Sequence, residues 1–232
     1  MFGELTVSSS TTFQGLLIFS RHDVTLLAAI KKTGVFDTMF SDPAREAGYL
    51  ILENVEQIVA LQNTYVPDKL LTSSEQSSYH RIIKSLDTAI EWNSSAYPGE
   101  AFLTTIALAI KIFLETVLRC TTEQEENSKH TAVQLMECLE QPEQQLCPSL
   151  ALCSSLESVF WQTMMGAIAA ADAHVKSFYI SRVKRISITL ALTSWDDALV
   201  ILQKFFWIPS IFSEPCYQVL SEILDSQGCT DK

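Results

Sequence analysis

None of the six cysteines, Cys120, Cys138, Cys147, Cys153, Cys216 and Cys229, stands in a C-x-x-C pair. A tetrahedral zinc site takes its ligands from two such tight knuckles, so no metal site is expected. An even count is compatible with disulfides, but a secretory start is missing. Met1 to Ser20 has an acid at Glu4, no basic run and only a short apolar patch, Leu16 to Phe19. The expectation is an intracellular chain with reduced, mostly buried thiols. Glycine and proline are scarce, seven of each in 232 residues, which leaves long segments unbroken. The glycines also stand singly, so no glycine-rich loop cradles a phosphate.

Positive charge is in short supply too. Sixteen basic residues face 27 acidic ones, a formal charge of −11, and the field of such a domain repels a phosphate backbone. Direct nucleic-acid binding by this chain is not expected. Apolar runs long enough to span about 30 Å of hydrocarbon are lacking as well. Lys111 and Glu115 interrupt Ala101 to Leu118, and Ser158 to Ala171 is too short.

What is present is helical periodicity. Hydrophobic residues make up 47% of the chain, and between the Pro and Gly breaks they recur at three- and four-residue steps rather than alternating. A short helix is predicted from Asp23 to Lys32, within a weakly defined N-terminal segment, 1–40. A second starts at Asp42–Pro43, where Asp can cap and Pro needs no donor, and runs to about Asn63. Ser73 and Gln76 have capping-box spacing at the head of a third, broken by Tyr97–Pro98–Gly99. The clearest stripe follows: Phe102, Leu103, Ile106, Ile110, Phe113, Leu114, Val117 and Leu118.

An acidic loop at Glu123, Glu125 and Glu126 leads to a shorter helix around Val133 to Leu139, then a connector from Pro142 to Pro148. Apolar density rises again from Leu150 to Ala171, and a polar-ended helix spans His174 to Leu192. Ser194 and Asp197 have capping-box spacing before a helix carrying Leu199, Leu202, Phe205, Phe206 and Trp207. The last helix runs from about Ser213 to Ser226. The expected fold is all-α, a single array of roughly eight to ten antiparallel-packed helices over 41–232.

Candidate chemistry is thin. His22, His80, His130 and His174 form no local ligand pair. Asp172 and His174 come nearest to an acid/base pair, but two residues apart on a helix they face different sides. No G-x-S-x-G elbow or S-x-x-K nucleophile occurs in a fitting context. Lys176, Arg182, Lys184 and Arg185 form one basic cluster, readable as an import signal or an anion-binding patch, and more simply as a solvated helix face. Trp161, Trp195 and Trp207 crowd the last third, as core or as the walls of a pocket between helices.

The run Val159 to Ala171, followed by a basic helix and then by Thr193–Ser194–Trp195 opening a helix that closes on Trp207, resembles the C-terminal part of the fungal-specific transcription factor domain. The matching positions are Phe160, Trp161, Gly166, Arg182, Trp195, Leu199, Leu202 and Trp207, within about residues 155 to 210. The resemblance implies a helical regulatory domain in nuclear regulators of metabolism and secondary-metabolite pathways, downstream of a six-cysteine zinc cluster. That basic, cysteine-dense module is missing from this sequence, and the cysteine spacing cannot supply it.

The expected function is regulation of transcription through protein partners or self-association, without catalysis or cofactor and without direct DNA contact. A small apolar ligand is compatible with it. The alternative is a helical enzyme or apolar-ligand carrier with its site near Trp161, His174 and Trp195.

Overall fold

In the computed structural model, residues 42–67, 69–94, 101–122, 127–140 and 153–228 are described. Among these residues there are eight helices and no strand, the all-α fold that the periodicity predicts. The helix expected at Asp23–Lys32, the rest of the N-terminal segment, the Tyr97–Gly99 break, the Glu123–Glu126 loop and the Pro142–Pro148 connector lie outside the described residues.

The helices are α1 (Asp42–Thr64), α2 (Ser73–Ser94), α3 (Ala101–Thr122), α4 (Asn127–Glu140), α5 (Cys153–Ala169), α6 (Ala173–Thr189), α7 (Trp195–Leu202) and α8 (Pro209–Gly228). Consecutive helices pack from α1 to α4; α5 then lies on α3 and α4, and carries α6, α7 and α8. The α1–α2 pair is antiparallel, because Asn54 donates to Ser85 at 2.9 Å while Arg81 donates back to Gln57 at 3.2 Å. Helix α3 was expected to bury a stripe, and instead it is buried nearly all round. From Leu103 to Leu118 only Thr104 and Lys111 are even half-exposed, the pattern of a central helix rather than a surface one.

Three boundaries differ from the sequence reading. The box at the head of α2 is shifted one residue: Thr72 and Glu75 exchange the bonds, with Thr72 N–H donating to Glu75 Oε2 at 2.7 Å and Glu75 N–H donating to Thr72 Oγ1 at 3.3 Å. A carboxylate accepts a backbone N–H more strongly than the neutral Gln76 amide and also complements the helix dipole. Gln76 donates instead to the Leu71 carbonyl.

Helix α7 stops at Leu202, so Trp207 closes no helix. Phe205, Phe206, Trp207 and Ile208 are all at most 4% exposed, and four consecutive buried side chains cannot share one face of a surface helix. The chain turns at Gln203 and Lys204 with bonds to Leu199 and Ile201 carbonyls, then threads those four residues into the core. Two carbonyls buried by this turn are met from a distance: Trp161 Nε1 donates to Phe206 O at 3.3 Å and Gln62 Nε2 to Trp207 O at 2.8 Å. An unmet buried carbonyl would cost about 1–3 kcal/mol.

Helix α8 begins at Pro209, ahead of the expected Ser213, and runs through Pro215. Pro209 at the first position needs no donor. Pro215 forfeits one bond to the Ile211 carbonyl, and the buried stripe Phe212, Cys216, Val219, Leu220 and Ile223 holds the helix through it.

One buried charge ties α2, α3 and α4 together. Lys111 Nζ lies 2.6 Å from Asp87 Oδ1 and 3.9 Å from Glu115 Oε1, and the Thr131 hydroxyl donates to Glu115 Oε2 at 3.0 Å. Burial pushes the Glu115 carboxyl up to about 7 despite the opposing pull of Lys111 and Thr131. The folded chain therefore holds this proton to higher pH than the unfolded chain. Glu115's contribution to stability is complete below about pH 4.5 and lost as pH rises through about 7. The loss is on the order of 3 kcal/mol at about 1.4 kcal/mol per unit. Glu115→Gln should match the wild type in urea denaturation at pH 4.5 and exceed it by about 1–3 kcal/mol at pH 8. A constant difference between the two proteins at both pH values would refute this.

Candidate functional site

Helix α6 presents two faces with different work. Its buried face is Val175, Tyr179, Val183 and Ile186, a three- and four-residue step that seats it on α5 and α4. Tyr179 is 0% exposed and its hydroxyl donates to the Ala132 carbonyl of α4 at 2.6 Å. Burial pushes that phenol far up from its ordinary value, so it stays a donor. The helix starts on Asp172, whose Oδ1 accepts from His174 N–H at 2.8 Å and Val175 N–H at 3.2 Å. The carboxylate that sequence spacing set beside His174 is thus occupied as a helix cap.

Along the neighbouring face, His174, Ser177, Phe178, Ser181, Arg182 and Arg185 recur at helical steps and, with Glu140 at the end of α4, line a cleft of about 330 Å³. Volumes near 300 Å³ are at the small end of ligand sites. Arg182 is half-buried. Its Nη1 donates to the Leu139 carbonyl at 3.2 Å, and its guanidinium carbon lies 5.9 Å from the centre of the Phe178 ring. A cation over the last carbonyls of α4 also complements that helix's dipole. Burial, with Arg185 adding repulsion, lowers the Arg182 guanidinium from its ordinary value. Its Nε is buried with no hydrogen-bond partner among the described residues.

The cleft gathers cationic groups in an acidic chain. Arg182 and Arg185 lie beside His174, and among the described residues Glu140 is the one carboxylate in the lining. Three cations elsewhere have carboxylate partners on other helices or segments: Lys204 with Glu157 at 2.6 Å, Lys111 with Asp87 at 2.6 Å and Lys176 with Glu222 at 3.7 Å. Arg185 makes no ion pair among the described residues. The basic cluster therefore divides: Lys176 faces α8, while Arg182 and Arg185 line the cleft.

Of the eight positions that carry the family resemblance, seven serve packing. Phe160, Trp161, Leu202 and Trp207 are at most 1% exposed. Leu199 is half-buried against the same core, and Trp195 stands edge-on to Tyr217 with ring centres 5.7 Å apart. Gly166 lies directly against the Tyr179 ring. Only Arg182 reaches the cleft. The trio Trp161, His174 and Trp195 does not converge: Trp161 stacks on Phe205 at 5.5 Å inside the core, and neither tryptophan lines the cleft.

Sequence reasoning did not single out Ser177, Phe178, Ser181 or Glu140. The signal for the first three was the step 174, 177–178, 181–182, 185 on one helix; for Glu140 there was none, since tertiary packing alone brings it near.

Among the described residues no group of three or more His, Cys, Asp and Glu is placed to hold a metal ion, and no helix is long and apolar enough to cross a membrane. Cys216 is fully buried, and burial pushes its thiol far up. No known protein family, curated protein or solved structure matches this chain.

Proposed function

We propose that the chain is a helical regulatory domain of the fungal transcription factor type, acting by binding rather than by chemistry. The observation that carries this reading is the division of labour among the positions of the resemblance. Seven hold α5 to α8 together, and the eighth, Arg182, is delivered to an open cleft. A regulatory domain needs this arrangement, a fixed scaffold with an occupiable site at its edge. Its work belongs to the nucleus, reached with a DNA-binding module of a longer gene or of a partner, and the acidic surface leaves DNA contact to that module.

Fusing the chain to a heterologous DNA-binding domain tests the reading. The fusion is expected to change transcription of a reporter carrying the matching sites, up or down, relative to the DNA-binding domain alone. An expressed, nuclear, folded fusion that leaves the reporter unchanged would overturn it.

A further inference from the structure

We infer that the α6 cleft binds a small phosphate monoester whose organic part is flat or apolar. The lining supplies what such a ligand requires. A phosphate dianion presents three strong acceptor oxygens, and two guanidinium groups, an imidazole and two hydroxyls, from Arg182, Arg185, His174, Ser177 and Ser181, stand around about 330 Å³. Arginine is suited to this task because its planar fork can give two parallel bonds to one phosphate. Phe178 lines the same cleft and offers a ring face to the organic part.

The arrangement is unfavourable when the cleft holds no anion. Arg185 repels Arg182, whose guanidinium is already partly desolvated, and Glu140 offsets only one of the two charges. An anion seated between the two guanidinium groups offsets the positive charge that Glu140 leaves. A phosphate monoester presents three terminal oxygens where a carboxylate presents two, and so meets more of the guanidinium, imidazole and hydroxyl donors around the cleft, which is why it is the better fit. The acidic character of the whole chain does not oppose this, since its field is screened over roughly 8–10 Å in physiological salt, while the cleft cations act at contact distance. What the chain repels is a long phosphate backbone, whose many charges run past the cleft onto the acidic surface.

The experiment is calorimetric titration of the purified chain with phenyl phosphate, with phenylacetate as the carboxylate arm. Phenyl phosphate is expected to bind saturably and more tightly than phenylacetate. Arg185→Gln should weaken it about tenfold, the loss of one charge-assisted hydrogen bond of roughly 1.5 kcal/mol. Arg185 is exposed and makes no ion pair among the described residues, so this variant keeps the fold; Arg182→Gln should lose binding too, with its melting temperature recorded alongside. Lys176→Gln removes an equal charge from the Glu222 side of α6 and should leave binding unchanged.

Absence of saturable binding by the wild type overturns the inference. So does equal weakening by Lys176→Gln and Arg185→Gln, which marks diffuse attraction, and so does phenylacetate binding as tightly as phenyl phosphate. Binding in a chain that leaves the reporter unchanged keeps this inference and removes the regulatory reading, so the two stand or fall separately.

Discussion

Replacing Gly166 by alanine is expected to destabilise the fold by about 3–5 kcal/mol, although the same change in an exposed helix interior stabilises by about 1 kcal/mol. The sign reverses because of what faces the position. A Cβ at Gly166 would fall well inside contact distance of Tyr179 Cε1 and Cζ, and 2.7 Å from its hydroxyl oxygen. The ring cannot step aside cheaply. It is 0% exposed, and its hydroxyl is anchored on the Ala132 carbonyl at 2.6 Å.

Either α5 and α6 part, losing packing along their length, or the ring leaves and abandons a buried hydrogen bond. Overpacking costs about 1–3 kcal/mol and an unmet buried carbonyl about as much again. The melting temperature should fall by roughly 10 °C. Tyr179→Phe should not rescue, since the ring carbons remain. In a Tyr179→Leu background Gly166→Ala should cost under about 1 kcal/mol, a coupling that a double-mutant cycle measures directly. A Gly166→Ala protein at least as stable as the wild type would mean that the two helices do not meet as described.

Gly166 also marks where the sequence was legible and where it was not. As a lone glycine in an apolar run it was noticed through the resemblance, but its partner lies 13 positions on in another helix, and no local period points there. Features set by neighbours in the chain could be read in advance. The box at Ser194 and Asp197 is present, with Asp197 N–H donating to Ser194 Oγ at 3.2 Å and Ser194 N–H to Asp197 Oδ2 at 3.0 Å. From Leu103 onward the stripe of α3 is buried.

Features set by tertiary burial escaped. The end of α7 followed from four consecutive core residues, and the start of α8 at Pro209 from the burial of Ile211 and Phe212 ahead of Ser213. The cleft was half legible. Arg182, Arg185 and His174 were visible as charges on one helix, whereas the division between Lys176 and the arginines depends on which neighbour each side of α6 meets: α8 with Glu222 on one side, the end of α4 on the other.

The second large effect is expected at Phe113, where the two halves of the chain meet. Phe113 sits mid-way along α3 and is 1% exposed. Its ring stacks on Phe212 of α8 at 5.0 Å and lies 5.6 Å from Phe206 of the turn after α7. Phe206 is in turn edge-on to Trp161 at 6.2 Å, and Phe212 is 5.8 Å from Trp207. One aromatic cluster thus joins the central helix to the segment 205–212 that sequence reading had placed partly on a helix. Phe113→Asp removes the ring, at about 3–5 kcal/mol for truncation alone, and adds a carboxylate with no described partner that must be desolvated or protonated. Together these approach the whole of an ordinary domain's stability, about 5–15 kcal/mol. The variant should therefore lose its cooperative melting transition or aggregate, as followed by circular dichroism during heating. Phe113→Leu, which stays apolar, should fold with a lowered melting temperature. Val200→Asp supplies the control: Val200 is a 62%-exposed apolar residue on α7, and an acid there should change stability by no more than about 0.5 kcal/mol. A Phe113→Asp protein that kept the wild-type melting temperature would place Phe113 outside the core and remove the cluster that joins α3 to α8.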